Sequence, residues 1–195
     1  MNLKNKRPIV LAITGCSGSG KSLITKIIMK KIEAKCPLHT TTRRMRKDDS
    51  NFYKYVSRQE FLEMEKNKLF YVSSGDRKRC YGVELKEMKK VQTDSNIQII
   101  NISLKDIDYL ANYKEVFFIQ TKYKRFFPDF FINGIIKKVG WYESICRFFI
   151  YIHDWIKYKE SIKKYITYNI IFDKDYNKIC ESIDKILFDI TNRGD

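Results

Sequence analysis

Apolar positions along this chain fall into two alternating rhythms. The stretch PIVLAIT (8–14) is continuously apolar and β-branched, the pattern of a strand buried on both faces. The period then changes. Over 22–34, Ile27, Ile28 and Ile32 form a stripe at helical spacing and lysines cover the rest, which predicts an amphipathic helix. FYKYVS (52–57) alternates as a strand does, and 58–66 reads as a helix with Ser57 at its N-cap and Glu60 completing a capping box. KLFYVSS (68–74) predicts a strand. NIQIINI (96–102), EVFFIQT (115–121) and YNIIFD (168–173) are further strands, with helical segments between and after them, the last over 176–190. Strands alternating with helices predict an α/β fold built on an open, mostly parallel sheet. The stretch 39–82 breaks that alternation and reads as a small mixed α+β insertion after the first helix.

Composition narrows the class. A length of 195 residues suits one domain, and 44% apolar with 31% charged residues is a globular balance, not a disordered one. Lys plus Arg number 38 against 23 Asp plus Glu, a net charge of +15 that favours anionic partners such as nucleotides, nucleic acid or an acidic surface. The excess is lysine in a chain also rich in Ile, Asn and Tyr, a bias that an AT-rich genome produces by itself, so part of the charge is discounted. The cysteines, at 16, 36, 80, 146 and 180, are odd in number and lack CxxC spacing, which predicts a reducing, cytoplasmic setting with neither disulfides nor zinc. The N-terminal run ending in Ile-Thr-Gly-Cys resembles a lipoprotein signal. Its apolar part (9–13) falls short of the roughly 7–15 residues of a signal core, and the residues after Cys16 complete another motif. No apolar window reaches the length of about 18 residues that a membrane span needs.

That motif is GCSGSGKS (15–22), a full G-x-x-x-x-G-K-[ST] that follows a predicted strand and opens a predicted helix. Gly15, Gly18 and Gly20 allow the tight turn that points consecutive N–H groups inward, so Gly15, Cys16, Ser17, Gly18, Ser19, Gly20, Lys21 and Ser22 form a candidate ATP cradle. The start of the helix adds its positive end. Lys21 can reach the β- and γ-phosphates, and the Ser22 hydroxyl can ligate Mg²⁺. Such a loop alone fits a motor, a switch or a kinase. The first two usually carry an acidic residue at the end of a strand. Here the candidate strand ends in Asn101 and Ser103, with Asp106 nearby, which weakens the ATPase reading.

Downstream come TTRRMR, YKYVSRQEF and CYG, in that order. With the glycine loop, these motifs, over residues 9–83, resemble the guanylate kinase family. The resemblance implies a P-loop nucleoside-monophosphate-kinase-like sheet with helices on both faces, in one domain. Its core would be 1–38, 84–122 and 156–195, its acceptor-binding insertion 39–83, and its helical lid 123–155. It also implies transfer of the γ-phosphoryl of ATP, with Mg²⁺, to GMP. Arg43 and Arg46 match the arginines that grip the acceptor phosphate, and Tyr53 and Tyr81 the tyrosines that hydrogen-bond it. Arginine suits the task because its fork binds phosphate bidentately and stays charged. Several positions depart from the family pattern. Val72 and Val83 replace residues that read guanine, His39 replaces a Ser, Asn101 and Ser103 replace a D-x-D, and Phe172 stands where an Asn touches adenine. Ribose 1,5-bisphosphate phosphokinases, which read no base, share an Asn-x-Ser after the central strand and an acidic residue soon after Tyr-Gly-Val, as in Tyr81 to Glu84.

In the lid region the resemblance makes Arg147 the first candidate for a contact to the transferring phosphoryl group and Arg125 the second, although the family's glycine–arginine lid sequence is absent. Residues 141–155 are unusually aromatic and fit a buried helix, a dimer or partner surface, or membrane-surface contact, with burial the default. Lys157, Lys159, Lys163 and Lys164 read as a solvated face, and His153 beside Asp154 as structural. The expected partners are therefore ATP and a small phosphorylated acceptor. A catalytically degenerate protein-recognition module is the rival from another class, and a nucleic-acid-binding ATPase comes third.

Overall fold

The buried run near the N-terminus becomes the middle of the larger sheet. In the computed structural model, which describes residues 8–15, 19–45, 52–75, 79–94, 97–112, 115–123, 141–172 and 175–192, β1 (Ile9–Gly15) lies between β7 (Ile97–Asn101) and β8 (Val116–Tyr123). The sheet order is β2-β7-β1-β8-β9, with β2 (Ala34–Lys35) and β9 (Ile166–Phe172) at the edges and every pairing parallel. Alternate side chains of β1 serve different cores. Ile9, Leu11 and Ile13 pack with α1 (Lys21–Lys31) and α7 (Tyr176–Asn192). Val10 and Ala12 pack on the other side with Met88 of α3 (Leu85–Asp94) and with Ile107 and Leu110 of α4 (Ile107–Leu110). Two buried faces leave no polar position, which is why the run reads as continuously apolar. The expected α/β class, a parallel sheet with helices on both faces, is what forms.

The first helix ends at Lys31, short of the expected 34. Ile32 is already extended, and Ala34 pairs with Ile97, so the edge of the sheet captures residues whose composition suits a helix.

A second sheet contains β3 (His39–Thr41), β4 (Tyr53–Tyr55), β5 (Phe70–Gly75) and β6 (Cys80–Glu84) in the order β4-β3-β6-β5. β3 runs parallel to β4 and antiparallel to β6. Between β4 and β5 lies α2 (Arg58–Lys66), and the Ser57 hydroxyl accepts the N–H of Glu60 at 3.1 Å, as its capping pattern predicts. Register places His39, Thr41, Tyr53, Tyr55, Tyr81 and Val83 on one face. On that face Val72 and Val83 join the core of the larger sheet beside Ile100 and Met88. On the other face Phe61 of α2 stacks on Phe70, with ring centroids 4.6 Å apart. Glu84 is buried there and accepts from Thr40 at 2.9 Å, Lys54 at 3.1 Å and Lys86 at 3.0 Å.

The aromatic stretch forms α5 (Trp141–Lys157), followed by α6 (Lys159–Tyr165). Tyr151 of α5 packs against the core, while Phe149 and Ile156 are 65% and 63% exposed. The expected burial therefore holds for one face of this helix only.

Candidate functional site

The carboxyl end of β1, beside β8, is a topological switch point, because the chain leaving β1 runs to β2 at one edge of the sheet and the chain leaving β8 runs to β9 at the other. The turn from β1 to α1 begins there at Gly15 and ends at Gly20. Gly15 has φ +145°, and a Cβ on it would fall 2.2 Å from Thr121 Oγ1 and 2.8 Å from Ser19 Oγ. Gly20 caps α1 in the left-handed region at φ 84°, where a side chain would be strained. The Lys21 ammonium folds back over the turn and donates to the Gly15 carbonyl at 2.8 Å. Ser19 is fully buried and hydrogen-bonds Thr121 Oγ1, which donates to the Thr14 carbonyl at 3.1 Å. The first turn of α1 has no acidic residue, so its positive end is not neutralised locally. Ser22 is exposed on that turn. Cys16, Ser17 and Gly18 lie outside the described residues.

The second cluster is built by the threonines of TTRR. Thr42 N–H donates to the Cys80 carbonyl at 3.1 Å and its hydroxyl accepts the Cys80 N–H at 2.9 Å. Thr41 Oγ1 donates to the same carbonyl at 2.9 Å and accepts the Arg43 N–H at 3.3 Å. This lacing to β6 turns Arg43 inward, where it is only 7% exposed. Its guanidinium lies 4.6 Å from the centroid of the Tyr53 ring and 5.6 Å from that of Tyr55, and its Nη1 donates to the Arg44 carbonyl at 2.9 Å. Tyr81 is half-buried in register with Thr41, on the face that carries Tyr53 and Tyr55. Arg43, Tyr53 and Tyr81 thus share one side of the smaller sheet. Arg46 and Arg125 lie outside the described residues, as does the side chain of Arg147 on α5.

Two residues join the smaller sheet to the end of β7. His39 is 4% exposed, and burial lowers its pKa below the ordinary 6.5. Its Nδ1 lies 2.9 Å from the Pro37 carbonyl, and its Nε2 accepts the Asn101 N–H at 3.2 Å. Asp106 follows β7 in the 3-10 turn Leu104–Asp106. Burial pushes it up to about 6, against the Ser103 N–H at 2.8 Å, the Ser74 hydroxyl and Lys105. Lys105 also donates to the Gly75 carbonyl at 3.3 Å.

Among the described residues, the exposed Ser22 at the start of α1 could offer a divalent metal its hydroxyl oxygen. Asp106, the carboxyl nearest in sequence to the end of β7, is occupied by Ser103 and Ser74. Such a sparse donor set fits Mg²⁺, which keeps several waters and takes other ligands from substrate phosphates.

The sequence reading singled out neither Thr121, which braces the glycine turn, nor the bridging role of His39. A polar residue ending the apolar run of β8 was the available signal for the first. For the second there was none, because the partner of His39 is 62 residues away.

A family model described as guanylate kinase matches residues 5–123. The chain is 30% identical over 122 residues to a guanylate kinase from Helicobacter hepaticus, an alignment covering 59% of this chain and 61% of that relative. Among solved structures, a guanylate kinase from Anaplasma phagocytophilum superposes with a TM-score of 0.64 at 16% identity, over 97% of this chain and 87% of that one. TT1252 from Thermus thermophilus follows at 0.52 and 13% identity, over 94% and 98%. At those identities the two structures show a shared fold.

Proposed function

Because this chain belongs to the guanylate kinase family, we propose that it is a kinase that moves the γ-phosphoryl group of ATP to the phosphate of a small acceptor, with GMP the first acceptor to test. Gly15 to Ser22 hold the donor phosphates, Lys21 offsets charge on the γ-phosphoryl group, and Ser22 ligates Mg²⁺, which when bound draws charge from the phosphate oxygens. Arg43 and Arg46, with Tyr53 and Tyr81, hold the acceptor phosphate. Arg147 and Arg125 are proposed to approach the group in transfer. Phosphoryl transfer between phosphates asks little covalent chemistry of a protein; position and positive charge do most of the work. The observation that carries the reading is that Lys21 and Arg43 both turn inward, one over the glycine turn and one onto the tyrosines of the facing sheet.

A coupled ADP-release assay against a panel of phosphorylated acceptors tests it. Turnover stimulated by GMP is expected, and no stimulation by any acceptor rejects the kinase reading. One observation favours a second acceptor, ribose 1,5-bisphosphate. Val72 and Val83 are 6% and 1% exposed and packed into the core, so they offer a base no hydrogen bond. A site lacking such groups discriminates weakly between bases. A higher kcat/KM for ribose 1,5-bisphosphate than for GMP decides for it.

A further inference from the structure

The two clusters of positive charge are carried by different sheets, and one imidazole spans the joint. His39 opens β3, yet its Nε2 accepts the N–H of Asn101 at the end of β7. A backbone N–H can only donate, so Nε2 must keep its lone pair, and the ring proton sits on Nδ1, donating to Pro37 at 2.9 Å. From Asn101 the contacts continue into the helix of the glycine turn. Asn101 Nδ2 donates to Thr25 Oγ1 at 3.4 Å, and that hydroxyl donates to the Lys21 carbonyl at 3.0 Å. On its other side the His39 ring leans on Tyr53, with centroids 6.1 Å apart and planes at 59°, and Tyr53 carries the Arg43 guanidinium.

On the kinase reading above, we infer that His39 is a positioning residue, a neutral ring fixed at both nitrogens that sets the orientation of Arg43 relative to the Lys21 helix. Asp106 with the Ser74 hydroxyl and Lys105 with the Gly75 carbonyl also cross this joint, but they reach β5 and not β3, the strand that leads into Arg43. Val72 and Val83 meet Ile100 and Met88 through apolar surface, which resists separation but has no preferred direction. Hydrogen bonds are directional, and a ring held at two opposite edges cannot tilt without losing one of them. A phenyl ring at the same place would fill the volume and leave the Asn101 N–H without its acceptor. Reacting groups must be held close to their productive geometry, so a joint that slips by about 1 Å can cost on the order of 10²-fold in rate.

The chain has two histidines, 39 and 153, so ¹⁵N-labelled histidine gives a spectrum that one variant assigns. The signals lost in His39→Gln should be those of a neutral ring protonated on Nδ1. Saturating ATP with Mg²⁺ should shift them and leave those of His153 in place. An Nε2-protonated or charged His39 ring, or one that ignores bound ATP, overturns the inference. Neither readout uses an acceptor, so this failure stays distinct from failure of the kinase reading, which wild-type turnover against the acceptor panel decides. In that assay His39→Ala should lower kcat on the order of 10- to 100-fold while the ATP dissociation constant stays within about two-fold. His39→Gln, whose amide can accept from Asn101 and donate onward, should recover most of the rate. Wild-type turnover in the alanine variant overturns the proposal, and so does equal loss of ATP binding in both variants, which would mark the ring as packing alone.

Discussion

Arg43 owes its place to its neighbours as much as to its charge. The guanidinium sits over the rings of Tyr53 and Tyr55, a contact that suits a delocalised cation and is poorly reproduced by a compact, strongly hydrated ammonium. Arg43→Lys keeps the charge and loses both the stacking and the fork, so the acceptor KM should rise by about ten-fold, the equivalent of roughly 1.4 kcal/mol, with the ATP KM little changed. Steady-state kinetics with each substrate varied in turn checks this. Asp106 gives a residue-scale prediction in pH. Its folded pKa of about 6 lies above the ordinary 3.8, so the fold binds the proton more tightly than the unfolded chain does. Its contribution to stability is full at low pH and is lost as pH rises through about 6. Asp106→Asn, neutral throughout, should lack that part of the slope when Tm is followed from pH 4 to pH 7. His39 has the opposite sign: its lowered pKa makes stability fall as pH drops below the ordinary 6.5.

At the scale of elements, the glycine turn and the outer face of the smaller sheet are tight for different reasons. A methyl group at Gly15 meets Thr121 and Ser19 at a φ that side chains rarely adopt, so Gly15→Ala should remove ATP binding, measured by calorimetry, before it unfolds the sheet. On β6, a Cβ at Gly82 would sit 2.7 Å from the Phe70 ring, itself stacked on Phe61. Gly82→Ala should cost about 1–3 kcal/mol of stability in a denaturant titration, the usual range for overpacking. The hydrophobic pattern predicts the longer elements because each has a period to display. β2 has two residues and β3 three, too few for a period, and the His-Thr-Thr of β3 is polar. Their strand conformation comes from the partners that pair with them.

For the molecule as a whole, ligand binding and folding are linked. ATP with Mg²⁺ at about 100 times its dissociation constant should stabilise the protein by roughly 2.7 kcal/mol, seen as a rise in Tm. Lys21→Ala should abolish most of that rise while leaving the unliganded Tm close to wild type, since Lys21 is half-buried and its ammonium donates to the Gly15 carbonyl at the turn. The glycine loop, its strand and its helix were legible in the sequence because they are contiguous, and so was the alternation that makes a parallel sheet, because burial on two faces writes itself into consecutive residues. The residue types of the TTRR segment show a cluster of positive charge in the sequence. That Arg43 turns inward onto two tyrosines was not legible there, since those rings come from a strand about ten residues further on. Local order along the chain therefore determined the α/β class and the strand and helix that flank the glycine motif. Only the tertiary structure decided that Asn101 meets His39, that Thr121 braces Ser19, and that Val72 and Val83 are sealed in the core, because each of these contacts depends on where separate strands come to lie side by side.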